Sequence, residues 1–170
     1  MGLHGSVGPA QTSITMIAEA AGVQRHTVYA HFPDERSLLM ACSGLHLERE
    51  PLPSPDIWAA VKGRPARLRA ALAALYDWYS RNETLLSAVL RDAERHAVLR
   101  EISKQRFDPP MQAIAASVAT GLGTNGRAAL ALAMSFHTWQ TLTHGGGVTP
   151  ATAVSLMVRT VLGADGRSRP

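Results

Sequence analysis

Apolar residues recur at intervals of three and four through most of this chain, a pattern that predicts helices and gives no convincing strand. The sharpest short element opens at Thr12 and Ser13, whose side-chain oxygens can accept from the free amides of a first helical turn. Ile14, Ile17, Ala18 and Ala21 then form one apolar stripe. Gly22 follows where a residue of positive φ is cheapest, and Val23 is expected to point back into the core. A second helix, about Gln24 to Ala30, exposes Gln24, Arg25, His26 and Thr27 near its start and buries Val28. Phe32-Pro33 ends it, because the residue before proline is pushed out of the helical region. Asp34 can cap a third helix that buries Leu38, Leu39, Cys42 and Leu45.

After Leu47 the pattern stops. Glu48 to Pro55 holds three prolines in five residues, which forbids a continuing helix and marks a hinge. Asp56 starts a short helix with Ile57, Trp58 and Val61, closed by Gly63 and Pro65. Ala66 to Arg81 is predicted helical, with Leu68, Leu72, Leu75 and Tyr79 on one face and Trp78 beside it. Asn82 is expected to cap the next helix, which carries Leu85, Leu86, Val89 and Leu90 to about Arg95. Residues 97–107 read as helical, and Asp108-Pro109-Pro110 interrupts or restarts them. Met111 to Leu122 continues with small residues and ends at Gly121 and Gly123. From Asn125 a long helix, apolar nearly all round, is expected to reach about Thr143. His144-Gly145-Gly146-Gly147 stops it. Thr149 and Pro150 open a final helix lined by Val154, Met157, Val158, Val161 and Leu162, and residues 163–170 are expected to fray. The fold class is all-α, with about nine helices: a small helix-turn-helix head over residues 1–50, then a C-terminal helical bundle over 51–170.

Two short helices joined by a glycine-containing turn match the DNA-binding helix-turn-helix. Its second helix needs long polar donors at its N-terminal end, which reaches base edges in the major groove. Gln24, Arg25, His26 and Thr27 suit that task. With these residues in view, IAEAAGVQRHTVYAHF followed by PDERSLL resembles the DNA-binding domain of the tetracycline-repressor (TetR-like) family of transcriptional regulators. The resemblance covers about a fifth of the chain. It implies that Gln24, Arg25 and His26 face bases and that Thr27, Tyr29 and His31 touch phosphates. Tyr29 and Phe32 also suit core positions, and His31 a cap.

Two departures accompany the resemblance. TetR-like domains have a long first helix across the helix-turn-helix, whereas thirteen residues precede Ile14 here and glycines and Pro9 weaken any helix among them. Either Met1 lies near the end of a longer native first helix, the favoured expectation, or the head is naturally incomplete. The family also commonly has a lysine after the cap of the third helix, placed to meet a phosphate. Glu35 stands there instead, and Arg36 next to it is the substitute.

The net charge of +4 over 170 residues adds nothing to the DNA reading, because of where it lies. Residues 1–50 hold Arg25, Arg36 and Arg49 against Glu19, Asp34, Glu35, Glu48 and Glu50, a net of −2, so the remainder carries +6. Phosphate attraction follows local cations, so the head is poorly charged for its partner. The single cysteine, Cys42, excludes an internal disulfide and reads as a small buried hydrophobe. No apolar run reaches membrane-spanning length and no signal peptide opens the chain, which points to the cytoplasm. With no phosphate-cradling glycine loop and no cysteine or histidine cluster at metal spacing, neither an enzyme nor a cofactor or metal site is expected.

The resemblance implies that the bundle binds a small-molecule effector and that its last two helices form a homodimer interface. A dimer would place two recognition helices roughly 34 Å apart, one turn of operator DNA. Candidate effector contacts are Trp58, Trp78, Met111, Phe136, His137 and Trp139, with Tyr76 beside them, although such spacing equally suits plain core packing. The alternative is a helical ligand-binding or interaction protein that binds no operator.

Overall fold

A computed structural model of the protein describes residues 8–166. Residues 1–7, read as weak in helix, and 167–170 lie outside the described residues, whereas 163–166, expected to fray, continue the last helix to Gly166. Among the described residues there are nine α-helices and no strand: α1 (Ile14–Ala21), α2 (Arg25–His31), α3 (Glu35–Arg49), α4 (Asp56–Ala59), α5 (Arg64–Ala93), α6 (Ala97–Val118), α7 (Thr124–Ala133), α8 (Phe136–Gln140) and α9 (Pro150–Gly166). The all-α expectation holds. The chain groups into two compact units, one formed by Met1–Pro51 with Asn82–Pro109, the other by Leu52–Arg81 with Pro110–Pro170.

In the first unit, α1 packs on α2. The stop of α1 follows from Gly22, at φ 66°, whose amide and that of Val23 bond back to the last turn of the helix. Such a cap satisfies carbonyls that have no partner within the helix. Leu39 of α3, Ala93 of α5 and Leu99 and Ile102 of α6 form the core of this unit, with Met40 and Val98 against them. Two expectations fail here. Val23 is 41% exposed, and so is Leu45. The packed stripe of α3 runs through Leu39, Cys42, Ser43 and His46, so Leu45 falls outside it.

Asn82 does not begin a helix. α5 runs unbroken for 30 residues, and Asn82 is buried within it, its side chain bonded to His46 of α3. The expected interruption at Asp108-Pro109-Pro110 is also absent, since α6 continues to Val118. The prolines lack the amides that would reach back to Gln105 and Arg106. Those missing bonds fall where α6 passes from one unit to the other.

The second unit is built around aromatic side chains. Trp58, Trp78, Tyr76, Tyr79 and Trp139 are each at most 4% exposed. α7 packs on α9, which buries Val154, Met157, Val158 and Val161 as the sequence pattern predicts. The long helix expected from Asn125 to Thr143 breaks at Met134 and Ser135, then resumes as α8 and a wider π turn, Thr141–Gly145. The break is chemically supported from α5. The Tyr76 hydroxyl donates to the Ala133 carbonyl at 2.8 Å, and the Tyr79 hydroxyl to the Met134 carbonyl at 2.6 Å. Burial pushes the Tyr76 hydroxyl pKa up to about 12 and raises that of Tyr79 further. Among the described residues no helix is long and apolar enough to cross a membrane.

The caps give a direct test of these local rules. Ser13 accepts from the Met16 amide at 3.2 Å at the start of α1. Ser13→Ala is expected to lower stability by about 1 kcal/mol, the usual worth of such a cap, in a urea titration followed by circular dichroism. An unchanged midpoint would show that the bond contributes nothing.

Candidate nucleic-acid interface

The turn between α1 and α2 decides which side chains of α2 face outward. Gln24 is the N-cap of α2, in extended conformation (φ −75°, ψ 150°), and its side chain makes no capping bond. It is therefore available, and it is exposed, as are Arg25 and His26. Thr27 is half-buried, whereas Tyr29, at 49%, and His31 are exposed. Behind them Val28 and Ala18 are buried, at 5% and 2% exposure, so the helix is held from one side only. Ile17, expected with them, is half-buried. The candidate residues Gln24, Arg25, His26, Thr27, Tyr29 and His31 thus stand on a seven-residue helix and its cap. Phe32, at its C-terminal end, is half-buried and 6.5 Å from the His31 ring.

α3 is joined to α2 by a tight corner closed by Asp34. The Asp34 carboxylate accepts from the Ser37 amide at 2.7 Å, and the Ser37 hydroxyl accepts from the Asp34 amide at 3.4 Å. This reciprocal pair is the capping box. The bond from the Ser37 amide holds the Asp34 carboxyl below its ordinary range.

The two residues that follow are not free. Arg36 makes a two-pronged contact with Glu101, at 2.8 and 3.1 Å. That contact raises the Arg36 pKa and lowers that of Glu101. Glu35 meets His96 Nε2 at 3.1 Å. The other nitrogen of that ring, Nδ1, accepts from the Leu99 amide at 3.2 Å, so Nε2 is the nitrogen that carries a proton and donates to Glu35. Both ties come from the beginning of α6, more than sixty residues away in the chain. No local pattern signals them. Arg36, expected to stand in for a phosphate-binding lysine, is therefore already engaged by a carboxylate.

The residues named as effector contacts lie in the other unit. Trp58 is fully buried and donates to Ser117 Oγ at 2.9 Å. Tyr79 meets Phe136 edge to face at 5.4 Å between ring centres, and Phe136 meets Trp139 at the same distance. Trp78 joins them through Tyr79 at 5.9 Å. Met111 is half-buried and His137 exposed. The structure thus brings Trp78, Phe136 and Trp139 into one aromatic cluster. The Trp139 indole nitrogen is buried there without a hydrogen bond among the described residues. Cys42 belongs to the first unit; burial raises its thiol pKa and keeps it protonated. Among the described residues no group of three metal-ligating side chains comes together.

Residues 1–42 match the family described as bacterial regulatory proteins, tetR family. That span takes in α1, α2 and the first half of α3. No curated protein matches the chain.

Proposed function

From the premise that this chain carries a TetR-family head and is a transcription regulator with a DNA-binding helix-turn-helix, we propose a ligand-responsive repressor that binds operator DNA as a homodimer. The observation that carries the reading is the outward row Gln24, Arg25 and His26, exposed on a helix anchored through Val28. In this reading those three side chains meet base edges, and Thr27, Tyr29 and His31 meet phosphates. The dimer forms through the segments after Thr124, where Leu132 of α7 is 55% exposed. A small effector, for which Trp58, Trp78, Met111, Phe136, His137 and Trp139 remain the bundle candidates, would favour a dimer whose heads no longer match the half-site spacing. That requires it to bind the two arrangements unequally. The regulator acts in the cytoplasm.

The engagement of Arg36 by Glu101 favours a second reading, a helical ligand-binding protein with weak or no operator affinity. A fluorescence titration of the protein against the DNA upstream of its own gene, over a range of salt concentrations, separates the two. Saturable binding that prefers that sequence and weakens with salt is expected. Equal affinity for scrambled DNA, or none for either, would leave the second reading in its place.

A further inference from the structure

A cleft lies wholly within the unit that carries the head, walled by α3, the end of α5 and the beginning of α6. Leu85, Leu86, Val89, Leu99 and Ile102 supply its apolar side. Its cavity measures about 60 Å³. One water needs about 10–15 Å³ on this measure, so there is room for roughly four to six water-sized groups.

The polar side is unusual. His46 and Arg106 both line the cleft, and each has a buried nitrogen, His46 Nε2 and Arg106 Nε, with no hydrogen-bond partner among the described residues. Arg106 crosses α3 where Gly44 leaves space: a Cβ there would lie 3.2 Å from Arg106 Nη2. Among the described residues its guanidinium bonds a neutral acceptor, the Met40 carbonyl at 3.0 Å, and no carboxylate. A partly buried cation beside an apolar wall is costly unless an anion meets it. His46 is held by Asn82, and burial keeps its pKa below the ordinary value, so the ring is neutral at pH 7. A neutral imidazole nitrogen can face an oxygen either as donor or as acceptor.

We propose that this cleft binds a small aliphatic monocarboxylate of about two to four carbons, its chain against Leu86 and Ile102 and its carboxylate on Arg106 Nε, with His46 Nε2 beside it. Size and chemistry both set that class. A longer chain exceeds the room, and an alcohol leaves the guanidinium without a counter-charge. The site shares no residue with the aromatic cluster of the other unit. It is a site separate from the effector candidates of the bundle and rests on the proposed function only for any consequence at the DNA.

Isothermal titration calorimetry of the full chain with sodium butyrate tests it. Saturable binding is expected, at least tenfold tighter than that of n-butanol. Arg106→Gln keeps a polar, hydrogen-bonding side chain and removes the charge, and should weaken butyrate at least tenfold. Cys42→Leu narrows the cleft without touching Arg106 and should weaken it similarly; it carries the test if Arg106→Gln fails to fold by circular dichroism. Absence of saturable heat with butyrate, equal affinity for butanol, or unchanged affinity in a folded variant would overturn the site. DNA binding is not read, so a head that bound no operator would leave this result intact.

Discussion

Replacing Tyr76 and Tyr79 together by phenylalanine is expected to lower the stability of this protein by about 2–6 kcal/mol. Each hydroxyl is the donor to a carbonyl exposed by the break between α7 and α8, and each bond is buried. Removing a donor and leaving a buried acceptor unpaired costs about 1–3 kcal/mol. The rings remain, so the apolar packing of Tyr79 against Phe136 and Trp139 is kept. A domain of this size has only about 5–15 kcal/mol in all, so the double variant should melt many degrees lower.

Alkaline pH supplies a second readout with a definite sign. Burial raises both tyrosine pKa values in the fold, that of Tyr76 to about 12. In the unfolded chain they ionise near 10. Between pH 10 and 12 the unfolded state therefore holds fewer protons than the folded one, and stability falls as pH rises, by up to about 1.4 kcal/mol per unit for each tyrosine. The double variant should lose that part of the slope while starting from a lower plateau at pH 7. Urea titrations at pH 7, 10 and 11 check both. A variant with the original plateau would show that the two bonds do not support the break, and one with the original slope that other groups titrate there.

The same break explains why part of the fold was illegible. The run from Asn125 to Thr143 contains one glycine at its start and no proline, so local rules predict one helix. What permits a stop at Ser135 is a pair of hydroxyls 55 and 57 residues earlier. Asn82 misleads in the opposite direction. An asparagine between two apolar periods looks like a cap, but here it is a buried partner of His46 inside a single helix. Pro109 and Pro110 likewise look like a terminus and are carried within α6.

The helix-turn-helix was legible because its determinants are local. Ser13, Gly22, the Phe32-Pro33 pair and Asp34 each act within four residues of their own position. Long-range chemistry was not: the ties of Glu35 and Arg36 to His96 and Glu101, and the cleft around Arg106, join segments far apart in the chain. Of the aromatic residues proposed from spacing, Trp78, Phe136 and Trp139 meet through Tyr79 while Trp58 bonds Ser117, and spacing alone could not show whether they fill space or line it.

Removing Gln24 and Arg25 as Gln24→Ala with Arg25→Ala is expected to cut operator affinity by thirtyfold or more for each head. A good two-pronged base contact is worth about 1–3 kcal/mol, and two are lost. Both side chains are exposed, so the melting temperature should stay put. Glu101→Gln should act the other way. It removes the carboxylate that holds Arg36 at 2.8 Å and frees a cation at the start of α3, directly behind the corner that follows the recognition helix. One added phosphate contact steepens the dependence of log affinity on log salt by about 0.9. Tighter binding with that steeper slope is the expected result in a salt-series titration. If Glu101→Gln left both affinity and slope unchanged, Arg36 would lie out of reach of the phosphates, and attraction to the backbone would rest on Arg25 and the histidines of α2 alone. The loss in the Gln24 and Arg25 variant would then be larger than base contacts explain. If instead that variant bound as tightly as the original, the outward row of α2 would not be the reading surface, whatever Arg36 does.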